Sequence, residues 1–188
     1  MLSEYSVRTS TALVTLAATD GTTNGVPDRR NPLARAGRYV ALNTANVTLW
    51  RADEETLGYV EGLLVRNDLP AEDVRENPGA FYVARTGDER VGAGGIEQYG
   101  ADGLLRSVVV EEHARGEGVG TELCVALEAT AREGGVERLF LLTTTAAGFF
   151  AGRGYAEIER DAAPDPIRDT TEFAALCPAS ATCLRKSL

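Results

Sequence analysis

The sequence predicts an α+β (α/β-like) fold, a mixed central sheet of about seven strands flanked by helices, carried by residues 46–188 of a 188-residue chain. Three observations lead there. Short apolar runs of strand character recur between stretches of helical period, in the order β α α β β β α β α β (α) β. Tight turns join the runs in the first half into hairpins. A helix in the second half is opened by Gly116, Gly118 and Gly120, directly after a strand. The length suits one domain with some extra chain, since a domain of roughly 150 residues hides about two thirds of its unfolded surface.

Taken in order, residues 1–45 read as a poorly ordered N-terminal extension, because "TDGTTNGVPDRRNPLARAGR" is rich in turn formers and has no clean period. A misplaced start codon is the alternative source of that stretch. Ala12–Ala18 (ALVTLAA) is short and lacks a basic flank, so a signal peptide is not expected. Order begins at Val47, and "VTLWR" reads as a strand. Asp53 caps a helix whose apolar stripe is Thr56, Leu57, Val60 and Leu64. "DLPAEDV" predicts a second short helix with Pro70 in its first turn. "AFYVAR" and "ERVGAGGIEQYG" form a hairpin across "GD", and "ADG" turns the chain into "LLRSVVV", whose nearly continuous apolar end suggests burial on both faces. The helix after the glycines runs to about Glu133 and is stopped by Gly134 and Gly135. "VERLFLLT" reads as a buried strand, "TAAGFFAGR" as a short helix, "GYAEIER" as a strand, "IRDTTEFAAL" as a helix and "ATCLRKSL" as the closing strand.

Composition narrows the functions. The net charge of −9 argues against nucleic acid, which wants a basic face, and against an anionic membrane surface. No apolar run approaches the roughly 20 residues that span a bilayer. Lys186 is the only lysine, a surface chemistry that suits a halophilic source or a high-GC codon bias. Cys124, Cys177 and Cys183 are odd in number and form no C-x-x-C pair, so neither a disulfide framework nor a zinc site is expected. A reducing cytoplasm fits, and no metal is expected.

The glycines after the "VVV" strand make a helix entrance suited to phosphate. The first N–H groups of a helix are unpaired, its dipole is positive there, and glycine lets backbone approach a ligand closely. A P-loop would need G-K-[ST], but Gly120-Thr121-Glu122 follows. A dinucleotide fingerprint needs G-x-G-x-x-G tight against its strand, with an acidic partner ending the next strand. Here Glu111 to Arg115 intervene, and Glu137 begins a strand. What remains is R-G-x-G-x-G, Arg115 to Gly120.

This pattern, the strand order from about Val47 to Leu188, and "FFAGRGY" together resemble the GNAT acetyltransferase superfamily. The resemblance implies the GNAT fold and acetyl-CoA as co-substrate. It implies that the backbone of Val108, Val109 and Val110 pairs with the pantetheine arm. Amides along Arg115, Gly116, Gly118, Val119, Gly120 and Thr121 would hold the pyrophosphate, with Phe150 and Arg153 beside the thioester end. Glu117 departs from the commoner basic or neutral residue. Many members place a tyrosine acid four residues before the glycine of G-[FY]. Counting back from Gly154 gives Phe150, so that hydroxyl is absent, and Tyr155 is expected to face away.

For the proton acceptor the favoured residue is Glu97, on the third strand, acting through water or binding the ammonium. Arg106, followed by Ser107, is expected to bind substrate by clamping a carboxylate bidentately, the alternative being an ion pair with Glu97 or a neighbour. Histidine is a residue type suited to base chemistry, but His113 lies toward the phosphate end. Cys124 and Cys177 read as packing. More narrowly, "GIEQYG", "GLLRSVVV", "LLTTTAAGFFAGRGY" and "TTEFAALCPASA" are similar to the arsenic-resistance N-acetyltransferase (ArsN-type) group. That implies transfer to the amino group of a small acidic amino acid or an arsenical glutamate analogue, directly in a ternary complex. The alternatives are a protein N-acetyltransferase and a non-catalytic acyl-CoA sensor. The expected partner is a small-molecule amine, with a homodimer left open.

Overall fold

The computed structural model describes residues 47–188; the extension expected over residues 1–45 lies outside them. The seven expected strands form one mixed sheet in the order β1-β2-β3-β4-β5-β7-β6. They are β1 (Thr48–Arg51), β2 (Phe81–Thr86), β3 (Glu89–Tyr99), β4 (Asp102–Val110), β5 (Arg138–Thr143), β6 (Ala156–Ile158) and β7 (Thr182–Ser187). β1 to β4 are antiparallel neighbours, β4 and β5 are parallel, and β7 lies antiparallel between β5 and β6. β6 covers only part of the expected "GYAEIER" run.

Helix α1 (Glu54–Val65) starts where its cap requires. The Thr56 amide donates to Asp53 Oδ1 at 2.9 Å and the Asp53 amide donates to Thr56 Oγ1 at 2.8 Å, so two orphan donors are satisfied reciprocally. Leu57, Val60, Leu63 and Leu64 bury against Phe81, Val83, Ala93 and Val109 of the sheet. Helix α2 (Val119–Glu133) covers the other face, with Leu123, Cys124 and Leu127 packed among Leu105, Leu139 and Leu141. Two short helices, α3 (Ala147–Ala151) and α4 (Asp165–Arg168), complete the layers, and Ile167 and Phe173 cover Leu104 and Phe140.

Two expected helices take another form. "DLPAEDV" makes successive turns, closed by Val74 N–H to Ala71 O and Glu76 N–H to Asp73 O. So short a segment before Pro78 gains too few helical bonds to offset nucleation, and its Asp73 side chain is drawn inward to Arg106. "IRDTTEFAAL" breaks in two. The buried Thr170 hydroxyl donates to Ile167 O at 2.8 Å and accepts from the Phe173 amide at 3.3 Å. Such local bonding competes with the helical ladder, and the chain resumes as one π-helical turn, Glu172–Leu176, closed by Cys177 N–H to Glu172 O.

Glycines on β3 let the layers meet. A Cβ at Gly92 would lie 2.5 Å from the Val109 carbonyl oxygen, and one at Gly94 would lie 2.6 Å from a Leu127 methyl. In α1, by contrast, a Cβ at Gly58 would meet nothing within 4 Å. Gly92→Ala should therefore cost about 1–3 kcal/mol, because backbone cannot step aside as a flexible side chain can. Gly58→Ala should add roughly 0.5–1 kcal/mol by the helix-interior preference. Urea unfolding of the two variants checks both signs.

Candidate active site

The sheet opens between β4 and β5. Their parallel pairing covers only Asp102–Leu104 against Arg138–Phe140, yet β4 continues to Val110 and β5 to Thr143. Beyond Leu104 the two strands diverge, and among the described residues the β4 edge facing β5 has no strand partner. The gap is a cleft of about 550 Å³, within the size range of small-molecule sites. Arg106, Ser107, Val108, Val109 and Val110 form one wall, Leu141 to Ala146 the other, and Phe150, Glu172 and Cys177 also line it. An irregularity in the β3–β4 register marks the point of opening, where Ser107 carries φ of 55° on a non-glycine residue. The bulge turns the strand there.

At the far end of the same strand segment, the glycine turn enters α2. Gly116 and Gly118 have φ of 83° and 88°, a region that side chains resist. A Cβ on either would meet nothing within 4 Å among the described residues, so these leave the space beside them open. The first helical bonds run from the Thr121 and Glu122 amides to Gly118 O, which leaves the amides ahead of them without helical acceptors. Gly118 caps α2 without a side chain in the way, and Val119, Gly120 and Thr121 form the first helical turn. This arrangement fits a pyrophosphate. Arg115 braces the turn, donating from Nε to Val110 O at 3.0 Å and from its guanidinium to Asn67 Oδ1.

At the other end lies a buried ionic cluster. The Arg106 guanidinium donates to Asp73 twice, at 2.5 and 2.8 Å, and to Glu97 Oε1 at 2.8 Å. It meets Glu172 Oε2 at 2.9 Å, while Nε points to Ser107 Oγ at 3.5 Å. Opposite Arg106 on β3 stands Gly95, where a Cβ would press on Arg106 Cγ and the Phe81 ring at 3.2 Å. Without that atom the guanidinium lies over Phe81, 5.5 Å from the ring centroid. Burial opposes the charge on Arg106, but the Asp73 hydrogen bond, the Glu172 charge and the Glu97 hydrogen bond outweigh it and raise its pKa.

The expected substrate clamp thus meets a different geometry: every guanidinium nitrogen of Arg106 already faces a side-chain oxygen of the protein. Glu97 is equally engaged, with Oε2 accepting from the Tyr99 hydroxyl at 2.7 Å, and its carboxylate serves Arg106. Phe150 lines the cleft, packed edge-on to Phe149 and Tyr155. Arg153 is drawn elsewhere, pairing with Glu128 of α2 at 3.4 Å, where Lys186 also binds at 2.6 Å. Tyr155 is buried against Phe150 and Lys186, and burial raises its pKa out of the range useful for proton transfer. His113 pairs with Glu89 on the surface. Cys124 is a core thiol pushed up to about 12 by burial.

The sequence reading did not single out Asp73, Glu172 or the polar contact of Cys177. Cys177 Sγ donates to Glu172 Oε1 at 3.3 Å. Burial raises the Glu172 pKa first; Arg106 and Cys177 pull it down, and Asp73 and Glu97 push it up. The segment "TTEFAALCPAS" was visible as a resemblance, but a regular helix would not have aimed Glu172 at Arg106.

Comparisons with known proteins agree with this fold. Residues 47–156 match the model of the Acetyltransferase (GNAT) family. An uncharacterized N-acetyltransferase of Chlorobaculum tepidum is 34% identical over 131 residues, covering 68% of this chain and 80% of that protein. The chain therefore belongs to the GNAT acetyltransferase family, as an acetyl-CoA-dependent N-acetyltransferase of the GNAT kind. Among solved structures, N-acetylglutamate synthase from Neisseria gonorrhoeae, complexed with coenzyme A and N-acetyl-glutamate, has a TM-score of 0.67 at 20% identity. The match covers 77% of this chain and 35% of that one, so this chain spans about a third of the synthase. Rv2747 from Mycobacterium tuberculosis, in complex with CoA and NLQ, has a TM-score of 0.62 at 22% identity over 75% of this chain and 99% of that one. Both are likenesses of fold.

Removing the central cation tests the cluster. Arg106→Leu strands three buried carboxylates and should destabilise the protein by about 3–5 kcal/mol at pH 7. Acid protonates the stranded carboxylates and removes their mutual repulsion, so the deficit relative to wild type should shrink as pH falls toward 4. Denaturant titrations of both proteins at several pH values read this out.

Proposed function

We propose that this protein transfers acetyl from acetyl-CoA to the amino group of a small amino acid, directly in a ternary complex. Within that class we favour an acidic amino acid or an arsenical glutamate analogue. The observation that carries the reading is the cleft where β4 leaves β5, with a phosphate-suited glycine turn beyond one end and a carboxylate cluster at the other. The motif resemblance to the arsenic-resistance group supports the acidic acceptor, as does the fold likeness to a synthase bound to N-acetyl-glutamate.

In this reading the free backbone edge of Val108, Val109 and Val110 pairs with the pantetheine arm as an added strand would. Amides from Gly116 to Thr121 hold the pyrophosphate, with Arg115 fixing the turn. Acetyl-CoA brings an activated thioester; the protein orders the two reactants and handles the proton of the amine. Three carboxylates against one guanidinium leave negative charge for an ammonium group to meet. Arg106 and Glu97 organise that charge, and the remainder of the acceptor faces the hydroxyls of Ser107 and Thr143 to Thr145. Phe150 closes the cleft without supplying an acid.

Gly118→Val would force a β-branched residue to φ of 88° and place its side chain where phosphate oxygens sit. Calorimetry should show acetyl-CoA binding lost while circular dichroism stays native; full affinity in the folded variant would refute the pyrophosphate assignment. A panel of glutamate-like, arsenical, neutral and peptide amines then reads the acceptor, and the expected result is highest kcat/KM for the acidic amino acids. Binding without turnover on the whole panel would instead favour an acyl-CoA sensor.

A further inference from the structure

Among the three carboxylates held by Arg106, one differs from the others. Asp73 and Glu97 do not line the cleft between β4 and β5, whereas Glu172 does. It is nonetheless buried, at 7% exposure. It opens a π-helical turn, a rare form that recurs at functional sites. Its Oε2 is fixed by Arg106, and among the described residues its Oε1 accepts only the weak Sγ–H of Cys177, itself a cleft residue. An incoming N–H donor can displace a thiol from a carboxylate oxygen at small cost, which is not true of the strong bonds that occupy Asp73 and Glu97.

Resting on the N-acetyltransferase reading above, we propose that Glu172 is the catalytic proton acceptor for the substrate ammonium, presented to the cleft by the π-helical turn and aimed by Arg106. The ammonium gives one proton to Glu172 Oε1. The nitrogen lone pair then forms the C–N bond with the acetyl carbonyl carbon as the C–S bond breaks. The sulfur leaves with the bond's electron pair and takes the surplus proton of the nitrogen, giving amide and free thiol. Glu172 returns its proton to water through the open cleft. The groups facing Glu172 are Arg106 of β4, Asp73 of the α1–β2 connection, Glu97 of β3 with Tyr99 behind it, and Cys177 after the turn. Arg160 holds the turn by donating to the carbonyls of Phe173, Cys177 and Pro178. Burial and the two neighbouring carboxylates move Glu172 upward, toward the range in which a base is most effective.

The test uses the full chain and its Glu172→Gln and Glu172→Asp variants. Acetyl-CoA affinity is measured by calorimetry, and transfer to glutamate-like amines is measured from pH 5.5 to 9.5. Carboxyl titration is followed by NMR on glutamate-labelled protein without ligand. The expected result for Glu172→Gln is acetyl-CoA affinity within twofold of wild type, kcat lower by about 10²-fold or more, and loss of the rise in rate with pH. Glu172→Asp should restore part of the rate and the rise. In the unliganded wild type, one glutamate resonance should titrate above the ordinary range and be missing from both variants. A Glu172→Gln protein that turns over within threefold of wild type with the same pH profile would overturn the assignment. So would the absence of an upshifted glutamate resonance, which is readable on wild type even if a variant fails to fold. A wild type that binds acetyl-CoA but acetylates no amine would overturn the underlying transferase reading, a failure distinct from that of Glu172.

Discussion

One guanidinium ties together four separate parts of the chain. Arg106 stands on β4, Asp73 comes from the connection between α1 and β2, Glu97 from β3, and Glu172 from the π-helical turn near the C-terminus. Removing so many charges from water costs several kcal/mol per ion unless each finds partners. The cluster meets that condition with a bidentate pair to Asp73, the Tyr99 hydroxyl on Glu97 and the Cys177 thiol on Glu172. Both loops are irregular, and the cluster adds a tie to β4 beyond their own turn bonds and the Arg160 contacts. The cluster positions the floor of the cleft, and Gly95 gives its arginine room, since a Cβ there would lie 3.2 Å from Arg106 Cγ.

The same strand that carries Arg106 supplies the rest of the site. The bulge at Ser107 interrupts the pairing with β3, which resumes at Val109 and Val110, the split from β5 bares the edge of Val108 to Val110, and the Gly116–Gly118 turn then directs α2 away from it. Along this path the backbone is open to a ligand, and glycine φ values shape the approach. Side-chain chemistry is confined to the start of the path. The division makes physical sense for a large co-substrate. A charged diphosphate and an extended polar arm are matched by N–H and C=O groups, while the reacting end needs a buried, titratable group.

Much of the fold was legible because its signals are local. The period-2 runs, the Asp53 cap, the tight turns and the Gly134-Gly135 stop each identify an element without knowledge of the rest. The seven strands and the two main helices follow from them. The glycine turn ahead of α2 was legible too, because positive φ leaves glycine as its mark in the sequence. The partners of the Arg106 cluster were not. Arg106 and Glu97 stood out as charges on apolar strands, but their partners are set by tertiary geometry. Asp73 lies in a segment that reads as a helix and folds as turns, and Glu172 lies in a helix-like run that Thr170 breaks. Their side chains converge only when those two irregular segments pack on β4. Arg153 shows the converse: it sits within a recognisable motif, yet Glu128 of α2, which also binds Lys186 of β7, draws it into a separate ionic cluster.

The central claim is that acetyl transfer takes place in the cleft where β4 leaves β5, and a crystal structure with coenzyme A and an amino-acid acceptor tests it most directly. The account predicts the pyrophosphate on the amides of Gly116 to Thr121, the pantetheine arm paired along Val108 to Val110, and the acceptor nitrogen within hydrogen-bond distance of Glu172. Coenzyme A bound away from that edge, or an acceptor nitrogen out of reach of the Arg106 cluster, would contradict it.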